Sequence, residues 1–271
     1  MVDKSEKFSW LVRVGYFSRA IFYIMLGFLA LTNANRIAQG TDGLFQAIEE
    51  YPAGEAMLWI MAVGLLAYAL FRFCSPLFDI ENTGSDAKGW AERIGHAGSG
   101  IGHLTLAWAA FQLASNDTSG SGGESGGGGA EQAASSVLSF EFGGIVLGLL
   151  GLAFFATSLF QFKKGLTGEF MNRISASAPD FTRWLGGAGY CARGVVYAVI
   201  GLSLVKAGFF SGGADQIKTL ADAVAALAST GVLFKLTAVG LLLFGLFSLI
   251  LTRYRIIPEL GENGRVPAFR A

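Results

Sequence analysis

Six apolar runs dominate the chain, each close to the roughly 20 residues that a helix needs to cross about 30 Å of hydrocarbon. They cover residues 10–31, 56–73, 94–113, 142–162, 184–205 and 232–251. Inside a bilayer the backbone has no water to bond to, so such runs are expected to be helices. A soluble bundle of buried helices is the alternative, and the small number of charges within the runs disfavours it. The sequence therefore predicts an all-α membrane protein with six transmembrane helices.

The composition agrees with this class and narrows the range of functions. Of the 271 residues, 52% are hydrophobic and 15% are charged, whereas a soluble domain carries about 25% charged residues. The net charge is +0, so no overall field attracts nucleic acid. The two cysteines, Cys74 and Cys191, form no Cys-x-x-Cys pair. We therefore expect no nucleic-acid partner, no metal and no cofactor.

The distribution of Lys and Arg predicts the orientation. Sixteen of the 20 basic residues fall on the same side of the runs as the N-terminus, and four fall on the other side. Because cytoplasmic loops carry the excess of Lys and Arg, both termini are expected in the cytoplasm. The Gly- and Ser-rich stretch from Asn116 to Ser136 is then an extracytoplasmic flexible coil. Short surface helices are expected at 44–51 and 219–228.

A repeated motif opens the first, third and fifth runs. Its clearest copy extends from Gly189 to Gly201, and an earlier copy extends from Gly15 to Gly27. The shared polar positions are Tyr16, Arg19 and Tyr23 in the first copy and Tyr190, Arg193 and Tyr197 in the last. A degenerate copy begins at Gly95 and has His96, Ser99 and His103 at these positions.

The second, fourth and sixth runs repeat as well. Residues 63–71 match residues 239–247, and a middle copy starts at Gly151. Each unit thus has an odd helix, an outer loop and an even helix, and parallel repeats of this kind surround an axis along the membrane normal. We predict one membrane domain, 1–271, with a pseudo-threefold arrangement. Its repeats are 8–92, 93–183 (with the loop 116–136) and 184–255, and a cytoplasmic tail, 256–271, follows.

At these residues the chain resembles a bacterial integral membrane family, domain of unknown function 1206, whose repeats open with Gly-Tyr-x-x-Arg-Gly-x-x-Tyr. The last copy matches the whole pattern at Gly189, Tyr190, Arg193, Gly194 and Tyr197. The first copy has Ala20 in place of the second glycine, and the middle copy departs from the pattern at the three positions given above. The resemblance implies three tandem two-helix repeats in the plasma (inner) membrane, and it implies no activity.

The motif residues lie on one face of a helix, since Tyr190, Arg193, Gly194 and Tyr197 follow helical spacing. We interpret this face as a packing stripe, in which small residues let a neighbouring helix approach. Gly98-x-x-x-Gly102 and Gly144-x-x-x-Gly148 have the same form.

Arg19 and Arg193 are the stronger candidates for a functional role, since each lies about 13 Å along its helix from a flanking tryptophan. There an arginine either snorkels to cytoplasmic headgroups or pairs with carbonyls at the C-terminal end of another helix. We favour such a structural anchor. A ligand for an anion or substrate, and a specific contact with anionic lipid, are the alternatives.

His96 and His103 are the only histidines. They are two turns apart, about 10.5 Å along the axis, which is too far for both to ligate one metal ion. We interpret them as polar packing residues that replace the tyrosines of the other units. A proton-handling role and single-histidine ligation of a haem are the alternatives.

Catalytic motifs are not apparent in the sequence. No carboxylate falls near the middle of a predicted span, and no phosphate loop, Gly-x-Ser-x-Gly or His-Glu-x-x-His motif occurs. The leading hypothesis is a non-enzymatic structural, assembly or lipid-interacting module, which contacts membrane lipids and a membrane-protein partner or a second copy. A small pore or facilitator at the pseudo-threefold axis is second, and a membrane enzyme or redox role is third. Inward rings of Tyr and His would favour the pore, whereas Phe and Leu at the axis would favour the module.

Overall fold

A computed structural model describes residues 4–37, 39–78, 86–115, 134–210 and 213–257. The regular structure of these residues is helical, apart from one isolated antiparallel bridge between Ile174 and Arg255. Six helices are long: α1 (Lys4–Thr32), α2 (Gly54–Phe78), α3 (Ala87–Ala114), α4 (Gly143–Thr167), α5 (Thr182–Phe209) and α6 (Val232–Tyr254). The all-α prediction is therefore confirmed for the described residues.

Five of the six long helices are long and apolar enough to cross a membrane: α1 from Val12, α2 as far as Cys74, and all of α4, α5 and α6. The exception is α3, which has 28 residues but carries His96, His103 and Gln112 within its apolar run. The multi-pass architecture is thus supported by five spans, and the sixth span stays a prediction.

The helix ends differ from the predicted ones where local chemistry extends a helix. Helix α3 begins seven residues earlier than its apolar run, because the Asp86 carboxylate accepts a hydrogen bond of 2.9 Å from the backbone N–H of Gly89. Helix α2 continues through Pro76, beyond the end of its apolar run at residue 73. The short surface helices form at Gly40–Glu49 and Leu220–Ala225. The predicted coil at 116–136 lies outside the described residues except for 134–136, which begin a helical turn with Ala134 buried.

The helices pack in one continuous order. The broadest interfaces join an even helix to the odd helix of another unit: α2 to α3, α4 to α5, and α6 to α1. Within units, α1 packs on α2 and α5 packs on α6, whereas α3 and α4 have no comparable interface along their described lengths. The order is therefore α4, α5, α6, α1, α2, α3, and both ends of this row come from the middle unit.

Glycines allow the interfaces between units to be close. A Cβ on Gly27 would lie 2.6 Å from the backbone nitrogen of Leu242, and one on Gly201 would lie 2.9 Å from that of Phe155. The predicted seam at Gly144 and Gly148 packs on α5 at Gly208 and Phe209. The predicted seam at Gly98-x-x-x-Gly102 is not formed by the residues that the structure describes, because a Cβ at either glycine would meet none of their atoms within 4 Å.

The interfaces also fix which residues of the even helices are equivalent. Phe73 packs against the position of a Cβ on Gly100, and Phe162 packs in the same way on Gly194. Gly100 and Gly194 occupy the same position of the repeated motif, so Phe162 is the counterpart of Phe73. This register makes Thr157 the counterpart of Tyr68 and Phe244 in the repeat. It shifts by two residues the sequence match that started at Gly151.

Candidate functional site

Arg19 lies buried on α1 and contacts two other helices. Its Nη1 donates a hydrogen bond of 2.8 Å to the hydroxyl of Tyr68, and its Nε donates one of 3.2 Å to the hydroxyl of Ser248. The guanidinium carbon lies 4.5 Å from the ring centroid of Tyr16, 5.2 Å from that of Tyr68 and 5.0 Å from that of Phe244. Arg19 is thus held by hydrogen bonds and by cation–π contacts.

Arg193, the equivalent residue on α5, has a similar aromatic environment. It donates a hydrogen bond to the hydroxyl of Tyr197. Its guanidinium carbon lies 5.0 Å from the ring centroid of Tyr197, 5.6 Å from that of Tyr23 and 4.6 Å from that of Phe244. Because Arg19 also contacts Phe244, this one ring joins the arginines of two units.

A third arginine, Arg72 on α2, approaches the same cluster. Its Nε donates a hydrogen bond of 3.1 Å to the Tyr68 hydroxyl, which therefore accepts from Arg72 and Arg19. The ring of Tyr68 also lies 4.6 Å from the ring of His103 on α3. We call this cluster the arginine core and define it as Arg19, Arg72, Arg193, Tyr68 and Phe244.

The arginine core lacks compensating negative charge within the described part of the chain. No described Asp or Glu is buried, and no described carboxylate bonds to Arg19, Arg72 or Arg193. Only 5% of the Arg19 residue and 9% of the Arg193 residue are exposed. Nη2 of Arg19 and Nε of Arg193 are buried without a hydrogen-bond partner. Burying a charged group with an unmade hydrogen bond is costly, so these atoms mark a place where an anion would stabilise the fold.

The structure brings most of the predicted site residues together. Tyr16 packs edge-on against Tyr68 at 5.5 Å, and Tyr23 packs edge-on against Phe244 at 4.9 Å. Nδ1 of His103 lies 2.6 Å from the carbonyl oxygen of Ser99, which places a proton on Nδ1 as the donor.

Tyr16, Tyr23, His103 and Tyr197 contact members of the arginine core, whereas the other three predicted residues mainly pack elsewhere. Tyr190 packs on Phe170 at 5.0 Å between their ring centroids, although it also reaches Phe244 at 5.5 Å. Gly194 provides the surface for Phe162. His96 is half-buried on α3. Some residues of the motif therefore contact the arginine core, whereas others pack between helices, as in the packing stripe that the sequence predicts.

Sequence reasoning missed Tyr68, Arg72, Phe244 and Ser248, which all lie on even helices. The signal for two of them was present, because Tyr68 and Phe244 occupy matching positions in the even-helix repeat. Their importance follows only from the packing order, which places each ring between two odd helices.

The end of the bundle that carries the N-terminus of α1 is closed by a short segment. It includes a 3-10 helix, Glu169–Arg173, and its Phe170 covers Gly186 and packs on Phe247 at 5.2 Å. Burial, followed by repulsion from Arg255, lowers the pKa of the Arg173 guanidinium. We call this end of the molecule the basic end.

The predicted pairing of an arginine with the C-terminal carbonyls of another helix is made by a residue that the sequence did not single out. Nη1 of Arg13 donates to the carbonyl oxygens of Thr252 at 2.7 Å and Arg253 at 2.9 Å. These carbonyls end α6, where the helix dipole is negative. Arg13 is therefore the helix-end anchor, and Arg19 and Arg193 hydrogen-bond to hydroxyl groups instead.

The fold and the repeated units define a class: a helical, multi-pass membrane protein built from a repeated two-helix unit. The family described as Domain of Unknown Function (DUF1206) matches residues 14–78, 94–168 and 188–255. The chain belongs to this family, and its division into three repeats is confirmed. The chain is also similar to the uncharacterized protein YxxB of Bacillus subtilis (strain 168), with 29% identity over 261 residues, 91% of this chain and 92% of that protein. No solved structure is significantly similar to it.

Proposed function

We propose that this protein is a non-enzymatic, lipid-interacting module that holds an anionic group in its arginine core. The observation that carries the proposal is the burial of Arg19 and Arg193 with unpartnered nitrogens and no described carboxylate beside them. A bound anion supplies the missing acceptors and charge. Arginine suits this role because its planar fork of donors matches phosphate and carboxylate groups.

The proposed architecture is an open ring of six transmembrane helices with pseudo-threefold symmetry. Three interfaces support it: α2 with α3, α4 with α5, and α6 with α1 each join an even helix to the odd helix of the next unit. Phe244 of α6 contacts residues of α1 and α5, and Tyr68 of α2 contacts residues of α1 and α3. Rings placed between alternate helices in this way curve the row around the arginine core.

The proposed location is a plasma membrane, with both termini in the cytoplasm. The described basic residues support this orientation, because only Arg36, Lys206, Lys218 and Lys235 lie at the end opposite the basic end. The cytoplasmic leaflet carries anionic lipids, and each nearby Lys or Arg contributes about 1 kcal/mol of attraction to it. Membrane lipids are therefore the partners that we propose first.

A small pore is the second candidate, since the side chains of Tyr23, Tyr197 and His103 contact members of the arginine core. The rings of Tyr68 and Phe244 occupy the space between the odd helices, which favours a binding module over an open conduit. Flux measurements on proteoliposomes separate the two. We expect no flux of anions above that of protein-free liposomes, and a saturable anion flux would establish the pore.

The binding function is tested by thermal unfolding of the purified protein in nanodiscs. We expect phosphatidylglycerol, added to phosphatidylcholine, to raise the unfolding temperature of the wild type. A ligand at about 100 times its Kd stabilises by about 2.7 kcal/mol. Arg19→Gln should lose most of this rise, whereas Lys206→Gln, at an exposed site on the opposite end, should keep it. Equal unfolding temperatures of the wild type with and without every anion tried would refute the proposal.

A further inference from the structure

The first and third units close their own hairpins through a glycine and an aromatic ring. A Cβ on Gly15 would lie 2.8 Å from Cβ of Tyr68, and a Cβ on Gly189 would lie 2.6 Å from Cβ of Phe244. Both aromatic side chains are fully buried. Each ring thus seals the line between the odd and even helices of its own unit.

Within the described part of the chain, the middle unit has no such seal. Gly95, the counterpart of Gly15 and Gly189, is exposed, and an added Cβ there would meet no atom within 4 Å. The ring is replaced by Thr157, which is exposed and donates its hydroxyl to the carbonyl of Ala153 on its own helix at 2.8 Å. The small residues Gly98 and Gly102 are exposed on the same side of α3. Among the described residues, a side opening is therefore left between α3 and α4.

The two walls of this opening lead to the arginine core. On the α3 side, the ring of His103 lies 4.6 Å from that of Tyr68, which accepts hydrogen bonds from two arginines. On the α4 side, the ring of Phe154 lies 5.8 Å from that of Tyr197, which accepts from Arg193. Each wall is thus separated by one aromatic contact from a guanidinium.

We infer that an anionic phospholipid enters the arginine core sideways, between α3 and α4, with its phosphate at Arg19 and Arg193 and its chains in the opening. This inference rests on the proposed function and names its ligand and its route. The small and apolar residues along the opening suit acyl chains, and the unpartnered guanidinium nitrogens suit a phosphate. A helix of a second copy would fill the opening and leave these charges without an acceptor.

The route from the aqueous side is less open than the side route. At the basic end, Phe170 covers Gly186 and packs against the rings of Tyr190 and Phe247. The segment is held by backbone hydrogen bonds from Ser175 to Tyr254 at 2.8 Å and from Ile256 to Arg173 at 3.1 Å. A ligand that arrives from the bilayer does not need to displace these contacts.

The experiment fills the opening with a side chain and measures lipid retention by native mass spectrometry. Gly98→Trp adds a large ring at a position where a Cβ would meet no atom of the described residues within 4 Å, and Gly102→Trp is a second variant in case the first does not fold. Leu104→Trp is the matched control, because Leu104 is exposed on α3 away from the line of Gly98 and Gly102. The probes are phosphatidylglycerol, phosphatidylcholine and inorganic phosphate.

We expect the wild type to retain phosphatidylglycerol in preference to phosphatidylcholine and inorganic phosphate. Gly98→Trp should weaken that retention by about tenfold, equivalent to about 1.4 kcal/mol, and Leu104→Trp should leave it within about twofold.

Undiminished retention in a folded Gly98→Trp or Gly102→Trp variant overturns side entry. Retention of inorganic phosphate as tight as that of the lipid also overturns it, while the proposed function stands. If neither of the two anionic probes, phosphatidylglycerol and inorganic phosphate, binds the wild type, the proposed function fails as well. A dimer cross-linked through α3 and α4 would show that the opening belongs to a second copy.

Discussion

Each of the three units has an odd and an even helix but, among the described residues, only in the first and third units do these two helices pack closely on each other. In the first and third units a glycine on the odd helix receives an aromatic ring of the even helix, Tyr68 or Phe244. In the middle unit the glycine is kept as Gly95 and the ring becomes Thr157. We infer that one side chain decides whether a two-helix unit is sealed, whereas the interfaces between units form in all three places.

The largest expected effect comes from the same substitution made in a closed and in an open unit. Gly189→Leu would place Cβ 2.7 Å from the Cα of Phe244, whereas a Cβ at Gly95 would meet no atom of the described residues within 4 Å. Overpacking a dense interior costs typically about 1–3 kcal/mol and occasionally more, and contact with backbone leaves little room to relax. We expect Gly189→Leu to abolish most folded protein and Gly95→Leu to leave the yield unchanged, as measured by size-exclusion chromatography of solubilised membranes. Equal yields of the two variants would show that the units do not differ in closure.

The second effect concerns the buried charge that the closed units share. Arg193→Leu removes a hydrogen bond to Tyr197 and a cation–π contact with Phe244, and a hydrogen bond to a charged group contributes about 1.5–3 kcal/mol. We expect lower folded yield and an unfolding free energy reduced by about 2 kcal/mol in phosphatidylglycerol. In phosphatidylcholine the loss should be smaller, because no anion there offsets the cost of burying the charge. The same loss in both lipids would make Arg193 a structural anchor alone.

The helices and the equivalence of the repeats can be predicted from the sequence. The packing that distinguishes the units cannot, for physical reasons. Apolar length predicts the helices, and the repeated motif predicts that Arg19 and Arg193 are equivalent. The packing order is not predictable, because each even helix can pack on the odd helix of its own unit or of the next one. The roles of Tyr68 and Phe244 depend on that choice. Hydropathy alone does not identify α3 as a span, because His96 and His103 lower the mean hydropathy of a helix that is long enough to cross a membrane.

A third, smaller effect is expected from restoring the missing ring. Thr157→Phe places an aromatic side chain opposite Gly95, as Phe244 lies opposite Gly189 in the third unit. Burying a Phe side chain contributes about 1.5–3 kcal/mol, of which part is lost in lipid because the exposed threonine already faces an apolar medium. We expect a net gain of about 1 kcal/mol in thermal unfolding together with weaker retention of phosphatidylglycerol. Ala156→Phe, at the neighbouring exposed position on α4, is the control and should change neither quantity.

The smallest effect is expected from shortening the connection between α3 and α4. This change tests which of two causes produces the opening. Residues 116–133, whose composition predicts a flexible coil, can be replaced by a short Gly/Ser linker, which leaves the buried Ala134 in place. Each halving of a flexible loop changes its closure cost by only about 0.6 kcal/mol. If the opening exists because Gly95, Gly98 and Thr157 offer no side chain to seal it, the shortened protein should melt within about 1 kcal/mol of the wild type and retain the same lipid. If the long connection holds the helices apart, shortening it should expel the lipid as Thr157→Phe does, and the missing ring would not be the cause.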